Sequence, residues 1–409
     1  MEDGKDLLLA CLKQDAAEKK INRLCELSEE QWEALFNEAS RHGLVPFLFQ
    51  SLKPYLSAGH IPPHFQDRMR SLYYASAARK IRLYHQLGEV VKQFNDQGIP
   101  VILLKGAHLA RYVYDNMALR PMVDIDLLVK KEDLGTVHHL FLEEGYSTSV
   151  ENSIANKKHL SAYMKKNRIP IEIHFQITDP PLAERLDISA LWARAEKESL
   201  EDADVLTLSV EDLFIHLCIH TCVHNAFSNG LITCLDIAQI VLSDRVKIDW
   251  EELWHRAREL GIERTVYIML ALTEKIIGLP MPRQIAQKIQ LNGEVILALE
   301  EAENFIFEKE MNVSTSLARL FEKRGWRKKM HYLKARTSPT REAVAARALP
   351  EERKNLFQKY QLYLTQIQKL YEEHGKTVLL GLRGDPQTLA AIELQNRQNN
   401  LRDWLMHAE

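Results

Sequence analysis

Apolar residues recur at three- and four-residue spacing through LLLACL, EEQWEALFNEASRHG and MRSLYYASAARKIRLYHQLGEVVKQFNDQG, which predicts an all-helical lead-in over 1–98 with Gly98 as a helix stop. The pattern then changes. IPVILLKG (99–106) and VDIDLLV (123–129) are short apolar runs with strand character, and HLARYVYDN between them has room for a helix. EDLGTVHHLFLEEG predicts a further helix ending at Gly145, after which YSTSVEN, HLSAYMKK and IPIEIHFQI alternate as strands, the last two joined by a polar turn at Lys166–Arg168. Beyond Pro180 and Pro181 the helical period returns in VEDLFIHLCIHTCVHNAF, ITCLDIAQIVLS, DWEELWHRARELG and RTVYIMLALTEKIIG. Helix continues to the C-terminus, with polar breaks near Ser338-Pro339 and Leu349-Pro350. The expected class is α+β: a minimal mixed sheet with covering helices at 99–180, between a helical region at 1–98 and helical regions at 181–280 and 281–409.

Composition narrows the function classes. With 46% hydrophobic and 27% charged residues and few glycines or prolines, the 409-residue chain reads as globular with more than one packed unit. A net charge of -3 provides no global field towards nucleic acid or anionic membrane, so a nucleic-acid partner is not expected. The longest apolar run, around VYIMLAL, is too short to span a bilayer, and the N-terminus lacks the features of an export signal, so a cytoplasmic location is expected. Five cysteines (Cys11, Cys25, Cys218, Cys222 and Cys234) sit in helical patterns without a CxxC pair and read as buried reduced thiols.

The candidate chemistry lies in the two alternating strands. In VDIDLLV the period of two puts the carboxylates of Asp124 and Asp126 on one face, about 6–7 Å apart along the chain, with Val123, Ile125 and Leu127 free to face the core. In IPIEIHFQI the same alternation sets Glu172 and His174 opposite Ile171 and Ile173. Two or three carboxylates with phosphate oxygens make the oxygen-rich surroundings that hold Mg²⁺ or Mn²⁺ beside a nucleotide. Upstream, Lys105-Gly106 stands where the first strand enters a helix, so a close backbone approach, a helix N-terminus and a cation coincide there. Arg120 has the guanidinium geometry to grip a phosphate.

The stretch LLKGAHLARYVYDNMALRPMVDIDLLV resembles the uncharacterised nucleotidyltransferase family of the DNA polymerase beta superfamily, and is similar to the toxins of abortive-infection type IV systems. IHLCIHTCVHN, LDIAQIVL and IDWEELWHRARELG resemble that family's helical domain, so the likeness covers about 95–275. Where the superfamily usually carries a Gly-Ser pair, this chain has Lys105-Gly106 and a longer spacing to Asp124. The resemblance implies metal ligands at Asp124, Asp126 and Glu172 and phosphate contacts from Lys105, Gly106 and Arg120, with His174 and Asp236 on the nucleotide side. It also implies transfer of NMP from an NTP to a hydroxyl on a small molecule, sugar phosphate or peptide. Two rival classes are a toxin-like nucleotide-binding regulator without turnover, and a sugar-nucleotide transferase using the DxD pair.

Other residues admit plainer readings. His216, His220 and His224 recur every four residues on one helix face, where packing or substrate-side hydrogen bonding is the commoner role than zinc ligation. Asp236 could serve as a general base towards an acceptor hydroxyl, against the commoner salt-bridged or capping role. Basic residues from Arg319 to Arg336, interleaved with Trp326 and Tyr332, read as a solvated helix face before an acidic-ligand patch.

Overall fold

A computed structural model of the protein describes residues 4–13, 24, 26–58, 61–148, 158–180, 182–308, 315–322, 368, 377, 380 and 383–406. These divide between two compact units, one within 1–307 together with 405–409, the other within 308–404. The second unit contains the helix Thr315–Glu322 and most of the helix Pro386–Met406, which bury a small cluster of Ala318, Leu320, Ala391 and Ile392. Of the basic run, Lys323 to Arg336 lies outside the described residues; Arg319 pairs with Asp403 at 2.7 Å. Cys25, the chain from 149 to 157 and the breaks at Ser338-Pro339 and Leu349-Pro350 also lie outside them.

The first unit opens with α1 (Gly4–Leu12), α2 (Glu29–Arg41), α3 (Val45–Leu52) and the long α4 (Pro63–Asp96). Ser28 starts α2 through a capping box with Gln31, so two backbone donors that the helix leaves open are satisfied reciprocally. Gly98, at φ +70°, follows the end of α4 as expected of a residue that must turn left-handed. A five-stranded sheet follows, in the order β3-β2-β1-β5-β4. Its strands are β1 (Ile102–Leu103), β2 (Ile125–Leu128), β3 (Ile171–His174), β4 (Glu196–Leu200) and β5 (Ala203–Thr207). β1 runs antiparallel to β2 and parallel to β5, β2 is parallel to β3, and β4 is antiparallel to β5. Between the strands stand α5 (Lys105–Tyr112) after β1, α6 (Leu134–Glu143) after β2, and two short helices, Leu182–Arg185 and Ile188–Arg194, after β3. The α+β class with a mixed sheet and flanking helices is therefore what the chain adopts.

Strand alternation distributes the core to both sides of this sheet. Leu103, Ile125, Leu127, Ile171 and Ile173 pack with residues of α4 and α6, whereas Ile102, Leu104, Leu128 and Leu208 pack into a second core on the other face. That second face is covered by α7 (Val210–Cys218), a π-helical segment (Ile219–His224) and α8 (Gly230–Leu242). The unit continues with α9 (Trp250–Leu260), α10 (Glu263–Ile277) and α11 (Gly293–Phe307). Asp249 caps α9, accepting from the amides of Glu251 and Glu252, and Gly261 ends it at φ +68°. Cys11, Cys218, Cys222 and Cys234 are buried and unbridged. Among the described residues no helix is long and apolar enough to cross a membrane.

Three expectations need correction. Val123 does not face the core; it precedes β2 in a bend and is 72% exposed, while Arg79 of α4 holds the Met122 and Val123 carbonyls from outside the sheet. Helix does resume after Pro181, at Leu182–Arg185 and Ile188–Arg194, but β4 and β5 then form a hairpin that extends the sheet to Thr207 before the longer helices begin. β4 buries only Leu200, so its charged residues carry almost no hydrophobic period to read. HLSAYMKK forms isolated bridges, not a continuous strand: Tyr163 exchanges backbone bonds with Ile171, and the Leu160 amide donates to Ile173.

Candidate functional site

The parallel register of β2 and β3 places Asp126 directly beside Glu172, and Leu128 beside His174. Because the intervening isoleucines and leucines are committed to the α4–α6 core, Asp126, Glu172 and His174 emerge together on the opposite face. His174 Nε2 donates to Asp126 Oδ1 at 2.8 Å and lies 3.6 Å from Glu172 Oε2. Ligand atoms of Asp126, Glu172 and His174 all fall within 4.8 Å of one another.

Lys105 completes the cluster from the start of α5, its Nζ donating to Asp126 Oδ1 at 2.9 Å. To make this contact Lys105 adopts φ +42°, a left-handed conformation that costs a non-glycine residue on the order of 1–3 kcal/mol. The next residue, Gly106, lies so close to the loop before β2 that an added Cβ would stand 2.7 Å from Met122 Cγ and 3.2 Å from an Arg120 nitrogen. The Leu104 amide bonds to the Asp126 carbonyl, so the entry to α5 is tied to the same strand that carries the carboxylate.

The electrostatics are those of crowded anions. Burial would raise the Asp126 carboxyl, but the Lys105 ammonium and the His174 hydrogen bond outweigh it and hold the group well below the usual carboxylate range. Glu172 is kept low chiefly by His174. Asp124, half-buried in the bend before β2, is pushed up to about 6 by burial and then by the charges of Asp126 and Glu172. Oxygen donors from three carboxylates, one of them resisting ionisation, with an imidazole nitrogen alongside, are a donor set that could hold a divalent cation. Asp124 stands in the field of the three-residue cluster without being one of its three members.

The histidine series lies over this face. After α7 the backbone widens into a π-helical turn, a departure from α geometry that is frequent at functional sites. The rings of His216 and His220, and of His220 and His224, meet edge to face at 6.4 and 6.2 Å. Burial, followed by Lys105, holds His216 and His220 well below the ordinary imidazole value, and both sense Asp126. His224 Nδ1 accepts from Lys158 Nζ at 2.7 Å, and its Nε2 lies 3.2 Å from Thr178 Oγ1. Lys158 is a cation that sequence reasoning did not single out. Burial lowers its ammonium, and it feels Asp179, Lys105 and Glu172.

Arg120 and Asp236 are brought together next to this cluster, with the Arg120 guanidinium within the field of Asp126. Arg120 Nε and a terminal nitrogen donate to the two Asp236 oxygens at 2.8–3.1 Å, Tyr114 Oη donates to Asp236 Oδ1 at 2.7 Å, and Asp236 is 0% exposed. Asp236 thus has the salt-bridged role, and the guanidinium that would grip a phosphate is occupied with fixing the 117–122 segment to α8.

A model of the uncharacterised nucleotidyltransferase family matches residues 28–278, more than half of the chain, and the chain belongs to that family. No curated protein matches it.

Proposed function

We propose that this member of the uncharacterised nucleotidyltransferase family transfers a nucleoside monophosphate from an NTP to a hydroxyl-bearing acceptor, with release of pyrophosphate. The observation that carries the reading is the convergence of Asp126, Glu172 and His174 within 4.8 Å, beside Asp124 and Lys105, at the strand ends of a mixed sheet. Asp126, Glu172 and His174 would hold a divalent cation, Mg²⁺ or Mn²⁺, with Asp124 as a further carboxylate. When bound, that ion supplies charge neutralisation at the phosphates and a lowered pKa for the attacking hydroxyl.

The chain's own residues supply the rest. Lys105 and Lys158 are the cations free of the Arg120–Asp236 bridge that stand in the field of the carboxylates, and they neutralise the triphosphate. Glu172, exposed more than Asp126, orients the acceptor hydroxyl and receives its proton. His216 and His220, neutral at physiological pH, add hydrogen-bonding imidazoles without adding charge. A small molecule, sugar phosphate or peptide suits this compact site better than a nucleic acid.

The test is label transfer. Purified protein with Mg²⁺ or Mn²⁺, each α-³²P-labelled NTP in turn and a matching cell extract should label an acceptor and release pyrophosphate, and Asp126→Asn should lower both by at least about 10²-fold. NTP binding without pyrophosphate release from wild type would replace the enzyme with a nucleotide-binding regulator; transfer of the sugar from a sugar nucleotide would replace the reaction class.

A further inference from the structure

A second polar cavity of about 340 Å³ lies against the other side of α5. It opens to solvent between α5, the β4–β5 hairpin, the start of α7 and the segment that follows α8, and is lined by His108, Arg111, Glu196, Glu198, Arg245 and Lys247 among others. His108 is buried, and its Nδ1 has no hydrogen-bond partner. Burial alone holds that imidazole down to about 3, so it is neutral and sits outside the field of Lys105 and Asp126 that reaches His216 and His220.

Arg245 pairs with Asp115 at 3.2 Å, outside the cavity, but Arg111 and Lys247 have no ion-pair partner among the described residues. Glu196 and Glu198 have none either, although they line the same space. Two cations and two carboxylates bordering one cavity offer a ligand an anion position and acceptors for hydroxyl donors. A neutral imidazole with a free nitrogen on the floor adds a hydrogen-bonding position for an uncharged group.

We propose that this cavity binds a phosphorylated sugar, either free or as part of a nucleoside monophosphate. The phosphate lies between Arg111 and Lys247, the sugar hydroxyls donate to Glu196 and Glu198, and His108 Nδ1 meets a further polar group of the ligand. The site is independent of the reading given for the Asp126 cluster.

Isothermal titration with ribose 5-phosphate, AMP and inorganic phosphate tests it, using wild type, Arg111→Ala/Lys247→Ala, Glu196→Gln/Glu198→Gln and Asp126→Asn. All four cavity substitutions fall on exposed side chains, and circular dichroism would verify that each variant is folded. The expected result is binding of ribose 5-phosphate or AMP that is equal in wild type and Asp126→Asn and at least about tenfold weaker in each cavity variant. Tighter binding of AMP would assign the nucleotide, and equal binding the sugar phosphate alone. Failure of all three probes to bind, affinity unchanged by both cavity variants, or inorganic phosphate binding as tightly as the sugar phosphate would overturn the proposal. Loss in Asp126→Asn alone would also overturn it, by moving the ligand to the acidic cluster.

Discussion

Lys80 lies on α4 with 1% of its surface exposed, and its charged neighbours are the guanidinium groups of Arg120 and Arg79. Burial, reinforced by those like charges, brings its ammonium down from 10.5 to about 7. Between those values the unfolded chain binds a proton that the folded protein does not, so stability rises with pH across that window. Below pH 7 both states are protonated and the folded state bears the full cost of a buried cation. At about 1.4 kcal/mol per decade, that cost is about 5 kcal/mol at pH 6 and about 2 kcal/mol at pH 9. Lys80→Met keeps the unbranched stem and removes the charge, so it should stabilise the protein by amounts approaching these. Urea denaturation followed by tryptophan fluorescence at pH 6 and pH 9 measures both. A gain under about 1 kcal/mol at pH 6, within ordinary mutational scatter, would refute the reasoning. So would a gain that fails to shrink at pH 9.

Other consequences concern the bridge, the glycine and the carboxylates. Asp236→Asn leaves the buried Arg120 without its counter-charge and should cost about 3–5 kcal/mol in denaturant titrations, whereas Tyr114→Phe, which removes one hydrogen bond to the same carboxylate, should cost about 1 kcal/mol. Gly106→Ala forces Met122 to move and should cost about 1–3 kcal/mol by thermal unfolding, with a wild-type melting curve counting against the close packing. With Asp124 titrating at about 6, protons compete with the cation below that pH. Mn²⁺ affinity, read by electron paramagnetic resonance, should fall about fivefold from pH 6 to pH 5 beyond any loss in Asp124→Asn, and parallel profiles for the two proteins would count against it.

The acidic cluster was legible because the chain announces it twice, as Ile-Asp-Leu and as Ile-Glu-Ile-His, and alternation in a half-buried strand leaves no other face for the polar members. What alternation does not mark is where a strand begins, which is why Val123 and Asp124 fall in a bend instead of in β2. His174 stood out less than the acids, yet it is the residue that joins Asp126 to Glu172. The β4–β5 hairpin was hidden by composition: GluLysGluSer on an exposed edge gives no apolar period. Long-range pairing was hidden by distance, since Arg120 and Asp236 are 116 residues apart and either alone reads as a functional charge. Lys80 was hidden by local context, an ordinary lysine in a helical repeat until tertiary packing encloses it.

The central strand of the sheet is only two residues long. Ile102 and Leu103, with one backbone bond beyond them on each side, join a half made of β2 and β3 to a half made of β4 and β5. Such a sheet resembles a book with a narrow spine: each half keeps its own ladder while a tilt between them strains few rungs. One page bears the carboxylates and the other borders the charged cavity, and α5 grows directly from the spine. Lys105 therefore stands two residues beyond the spine, where the page that bears the carboxylates and the page that borders the cavity meet.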